Sequence, residues 1–259
     1  MHPSQWRLIN AEHLEALPAA LARGRGNAVA RCLAQSDWLI RRKSDGRFVA
    51  VRTGDRITGF GRDALPRRLD ADLAELAESN AHAAAHRPLG RLQWRLHALG
   101  LADDYGETRG LELVAEPTVL EYAGRDRYRR PLWLTAQASH AWRALQAAAR
   151  GDGIVLEAIS GYRSHDYQLG IFRRKLARGL NVDEILTVNA APGYSEHHGG
   201  NAMDISTPGE PAAEESFEAT PAFAWLQRHA GDFGFRMSYP RNNPHGIVYE
   251  PWHWCWAGD

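Results

Sequence analysis

Residues Ser195 to Asp204 read S-E-H-H-G-G-N-A-M-D, and Glu250 to His253 read E-P-W-H. These two stretches combine histidines and carboxylates with small residues that leave space around them. A catalytic zinc takes three protein ligands of the His, Asp or Glu type and keeps a fourth position for water. His197, Asp204 and His253 fit the three ligand roles, and Glu250 is left over to accept a proton from that water. Two neutral imidazoles and one carboxylate leave zinc a net positive charge, enough to acidify water. The expectation is one Zn2+ per chain.

If Asn201 to Ile205 is a strand, Ala202 and Asp204 share a face, and the small Ala leaves room beside the carboxylate. A flat strand would put Glu250 and His253 on opposite faces. Pro251 makes a regular strand doubtful, so a bend is expected to turn both toward the metal. A third stretch, S-G-Y-R-S from Ser160 to Ser164, places Arg163 just after a strand. A guanidinium there can stabilise an oxyanion or hold a carboxylate through two hydrogen bonds.

The pattern S-x-H-x-x-G-x-A-x-D followed by E-x-W-H resembles the D-alanyl-D-alanine carboxypeptidase and dipeptidase family. These are zinc peptidases related to lysostaphin and to the amino-terminal domain of hedgehog proteins. Ser195, His197, Gly200, Ala202, Asp204, Glu250, Trp252 and His253 match, and S-G-Y-R-S with Gln168 downstream resembles the family segment carrying a substrate-facing arginine. The resemblance covers roughly residues 117–259. It implies an α+β fold, a small antiparallel sheet flanked by helices, and cleavage near D-alanine in a peptidoglycan-derived peptide. Glu250 and Arg163 are then catalytic, and Ser195, Gln168 and Trp252 substrate-binding. Carboxypeptidase, dipeptidase and endopeptidase activities share this site. A non-enzymatic recognition module is the competing class, which retention of Glu250 argues against.

Elements must hold these groups in place. Thr135 to Arg150 reads as a helix with Trp142, Leu145 and Ala149 on one face, followed by a strand over 154–160. Further helices are expected through Tyr167, Leu169 and Phe172, over 181–187, and from Pro221. Phe235–Tyr239 and Gly246–Trp256 read as a strand pair. Before a boundary placed at 116/117, residues 10–35 read as two short helices, Trp38–Ile40 and Phe48–Val51 as a hairpin, and Asp70 as a helix N-cap. The first part is therefore expected to be a smaller, mainly helical domain with a β-hairpin. His82 and His86 sit four apart there but lack a third ligand nearby, so they read as solvated or locally packed. His198, His165 and His245 are read as surface or supporting residues.

Composition narrows the classes. With 31 basic and 31 acidic residues in 259, bulk attraction to nucleic acid is not expected. Hydrophobic residues reach 44%, yet no run approaches the roughly 18 apolar residues of a membrane span. Two cysteines, Cys32 and Cys255, make no disulfide framework, and the first residues lack a signal pattern. A cytoplasmic, reducing setting is the expectation, with export by another route the alternative.

Overall fold

The computed structural model describes residues 6–24, 26–60, 69–78, 85–90 and 92–258. It divides into two compact units, residues 1–87 with 117–122, and residues 88–116 with 123–259.

The first unit is built on a sheet. Strands β1 (Arg7–Asn10), β2 (Leu14–Pro18), β3 (Trp38–Arg42), β4 (Phe48–Thr53), β5 (Arg56–Gly59) and the first part of β6 (Val119–Arg125, of which residues 119–122 belong to this unit) run in the order β5-β4-β3-β2-β1-β6. Every pairing among them is antiparallel. Ile9, Ala16, Ile40 and Ala50 lie in register across four strands and are all buried in one apolar cluster. Helix α1 (Asn27–Ala34) follows β2, and helix α2 (Asp70–Glu78) adds Leu76 to that cluster. Asp72 of α2 accepts backbone hydrogen bonds from His13 and Leu14 at the β1–β2 turn.

The expected mainly helical domain is corrected by this sheet. Leu14, Leu17 and Leu21 fit a helical stripe, but all five residues of β2 are buried between strands, a tertiary demand that overrides the local pattern. The single break at 116/117 also gives way to a double crossing. Residues 117–122 stay with the first unit because Val119–Glu121 pair with β1. Residues 88–116 belong to the second because Leu92, Leu96 and Tyr105 pack against Phe172 and Ile185. His82 lies outside the described residues, and His86 forms a bridge with Pro117.

In the second unit, α3 (Leu92–His97) and α4 (Tyr105–Arg109) precede β7 (Pro131–Leu134) and α5 (Ala136–Gly151). Then come β8 (Glu157–Ser160), α6 (His165–Leu176), α7 (Val182–Leu186), β9 (Ala202–Ser206), α8 (Pro221–His229), β10 (Phe235–Met237) and β11 (His253–Trp256). Strands β10-β11-β9-β8 form an antiparallel sheet in that order. Thr135 caps α5 through Ala138 N–H, and Trp142, Leu145 and Ala149 face the core as their spacing predicts. Met203 and Ile205 of β9, Phe223 and Leu226 of α8, and Trp254 of β11 fill the same core. Period-two alternation sends Ala202, Asp204 and Ser206 to the other face of β9. Among the described residues no helix is long and apolar enough to cross a membrane.

Candidate metal and catalytic site

The site begins as a row of side chains across three strands. Asp204 on β9 pairs in register with His253 on β11 and, through a bulge, with Ser160 at the end of β8. The bulge re-aims Ser160, whose hydroxyl donates to Asp204 Oδ2 at 2.6 Å. The other carboxylate oxygen, Oδ1, lies 3.2 Å from His253 Nδ1 and 3.4 Å from His197 Nε2. His197 comes from the 3-10 turn Glu196–Gly199, which ends at Gly200 with φ of 71°, a left-handed conformation suited to glycine. Its Nδ1 donates to the Gly161 carbonyl at 2.8 Å, leaving the Nε2 lone pair toward the site.

His197, Asp204 and His253 thus form a buried group whose ligand atoms all lie within 4.8 Å of one another. The donor set fits zinc: two imidazole nitrogens and one carboxylate oxygen. Burial would raise the Asp204 carboxyl, but His197 and His253 outweigh it and hold it well below the ordinary range. Burial would lower His253, but hydrogen bonds to Asp204 and Glu196 bring it up to about 10. Without metal, His253 therefore keeps a proton between two carboxylates, and an entering cation displaces that proton.

Glu250 and His253 flank a turn at Pro251–Trp252, as the proline suggests, with His253 N–H donating to the Glu250 carbonyl. The turn brings Glu250 Oε2 to 3.9 Å from His253 Nδ1. Burial pushes the Glu250 carboxyl up to about 7, against the pull of His253. Arg163 Nη2 lies 3.8 Å from Asp204 Oδ2, and its Nη1 donates to Gln168 Oε1 at 3.1 Å. Gln168 in turn donates to the Ala190 carbonyl at 3.0 Å, which fixes its amide. A cavity of about 300 Å³ opens over the group and is lined by Arg163, Gln168, Ser195, Tyr239, Glu250 and Trp252 among others. Every residue singled out from the sequence as catalytic, ligating or substrate-contacting thus borders one cavity.

Three supporting residues were not legible as such. Ser160 and Gly161, read only as surroundings of Arg163, hold Asp204 and His197. A Cβ at Gly161 would lie 2.7 Å from Leu132 Cδ1 and 3.0 Å from the Trp133 carbonyl oxygen, so that strand end has no room for one. His198 points away from the group and is fully buried. Gly193 N–H donates to its Nε2 at 3.0 Å, so Nδ1 carries the hydrogen and donates to the Arg163 carbonyl at 2.5 Å. Arg163 N–H donates to the His197 carbonyl, so the two loops are tied twice. His165 packs edge-on against His198 at 4.4 Å and touches Glu116, while His245 bonds the Arg109 carbonyl.

Residues 131–259 match the family described as VanY, D-alanyl-D-alanine carboxypeptidase. YodJ of Bacillus subtilis (strain 168) is 35% identical over 129 residues, 49% of this chain and 47% of its own. The D-alanyl-D-alanine carboxypeptidase of Enterococcus faecalis (strain ATCC 700802 / V583) is 33% identical over 121 residues, 43% of each chain. This chain therefore spans about half the length of the curated relatives it matches. The solved structure of the LdcB LD-carboxypeptidase is 35% identical, covers 49% of this chain and 60% of its own, and has a TM-score of 0.46.

Proposed function

We propose that this protein, whose residues 131–259 match the family described as VanY, D-alanyl-D-alanine carboxypeptidase, is a zinc carboxypeptidase. Its substrate is a peptidoglycan stem or precursor peptide, from which it releases the terminal D-alanine. The observation that carries the reading is the convergence of His197, Asp204 and His253 beside a buried Glu250, in a cavity that also holds Arg163.

His197, Asp204 and His253 would hold zinc, which would supply a Lewis acid able to acidify water and polarise the scissile carbonyl. Glu250, buried beside His253, accepts the proton of the attacking water. It then returns the proton to the departing amine as the C–N bond breaks, so the products are a shortened peptide acid and free D-alanine. Arg163, held by Gln168 and by the ties through His197 and His198, offers its guanidinium to the developing oxyanion. Burial of the cluster keeps bulk water from screening these charges.

The test is mass spectrometry of products from a panel of stem peptides. Release of single D-alanine from free termini, with poor turnover of the amidated forms, is expected. Equal rates on amidated or internal D-Ala bonds would replace the carboxypeptidase reading by an endopeptidase one. No cleavage of any peptide by zinc-loaded protein would move the chain to the recognition class.

A further inference from the structure

Glu196 stands next to a ligand in the sequence, yet its carboxylate serves the other histidine. Its Oε2 lies 2.9 Å from His253 Nε2, across 57 residues of chain. Its Oε1 lies 3.5 Å from the Arg236 guanidinium on β10. The His253 ring is thus gripped at both ends, by Asp204 Oδ1 at Nδ1 and by Glu196 at Nε2. Tyr239 packs against the ring, with centroids 4.8 Å apart.

This grip fixes two things at once. A carboxylate at Nε2 accepts a hydrogen bond, so the hydrogen of a neutral His253 sits on Nε2 and the lone pair is left on Nδ1, facing Asp204 and His197. It also stops the ring from flipping about its Cβ–Cγ bond, which would carry Nδ1 away from the group. His197 achieves the same with a neutral acceptor, the Gly161 carbonyl, and with its nitrogens used the other way round. The two ligating imidazoles therefore have unequal partners, one a full negative charge and one a peptide dipole.

We propose that Glu196 is the positioning residue for His253: its carboxylate sets the ring's tautomer and orientation and raises its strength as a zinc donor. The inference rests on the zinc reading above and concerns how tightly the metal is held. One short turn, Glu196–Gly199, then supplies one ligand and orients the second.

Partners of this kind are typically worth about 10–100-fold in metal affinity. The experiment measures zinc affinity by competition with a chromophoric chelator for wild type, Glu196→Ala, Glu196→Gln and Asp204→Ala. The cobalt-substituted forms are followed by visible absorption. Glu196→Ala should bind zinc about 10–100-fold more weakly, and Glu196→Gln, which keeps an acceptor oxygen without the charge, should fall between it and wild type. The cobalt bands of Glu196→Ala should shift while keeping their tetrahedral intensity, since no ligand is lost; Asp204→Ala should lose that intensity. Should the Ala variant fail to fold, the Gln variant decides, and a loss below about twofold there overturns the proposal. Wild-type affinity in Glu196→Ala overturns it and leaves the zinc reading standing. Absence of zinc binding by wild type would remove the zinc reading and this inference with it.

Discussion

Replacing Glu250 by Gln separates what this carboxyl does for chemistry from what it does to the fold. The side chain is only 13% exposed, and burial sets its carboxyl at about 7 against an ordinary 4.5. At about 1.4 kcal/mol per pKa unit, ionising it costs the metal-free folded protein about 3 kcal/mol. The native state holds a proton here between pH about 4.5 and about 7 that the unfolded chain has already lost. Stability contributed by this group is therefore fully present below 4.5, falls through that window and stays low above 7. Gln has no proton to lose. Chelated Glu250→Gln should thus match wild type at acid pH and exceed it by about 3 kcal/mol above pH 7, read as urea midpoints across the pH range. The zinc-loaded variant should behave oppositely in function, with kcat lower by about 10²–10⁴-fold and zinc content nearly unchanged. A fully loaded variant that turns over like wild type would refute the general-base role. A stability difference that does not vary with pH would refute the burial argument.

Arg163→Lys should lower kcat by about 10²–10³-fold, because a compact ammonium cannot reproduce the planar fork held by Gln168. A rise in KM with kcat intact would instead assign Arg163 to the substrate's terminal carboxylate. His198→Ala removes a buried hydrogen bond from Gly193 and a partly buried one to Arg163, and should cost about 2–4 kcal/mol of stability in urea unfolding. An unchanged midpoint would show that the clamp carries no weight.

Much of the site was legible because its chemistry is written in two short runs. Asp204 follows His197 by seven residues through a glycine turn into a strand, and His253 follows Glu250 by three across a proline. Both are local arrangements whose geometry the backbone dictates. Glu196 was not legible for the opposite reason. Its partner lies 57 residues away, and an acidic residue beside a ligand reads as a solvated side chain until the strands are assembled. His198 was similarly opaque: its two bonds go to backbone atoms, which leave no trace in residue type. In the first unit, apolar residues at 14, 17 and 21 satisfy a helical period as well as a strand. The pairing of Leu14–Pro18 with Arg7–Asn10 on one side and Trp38–Arg42 on the other decides between them. The helices of the second unit were easier, since Thr135, Ser164 and Thr220 each cap one through a local hydrogen bond.

The pairing of β9 with β11 carries one more implication. His253 lies opposite Asp204, and the next pair along is Trp254 opposite Met203, buried on the reverse face at 4% and 0% exposure. Side chains alternate along a strand, so a slip of one residue would drive the indole into the cavity and the imidazole into hydrocarbon. Withdrawing a large aromatic ring from the core forfeits about 4–6 kcal/mol at about 25 cal/mol per Å² over 150–250 Å². The greasy underside of the sheet therefore acts as a ruler for its polar upper side. The spacing of the ligands is held by the apolar packing beneath them, and not by an ion alone.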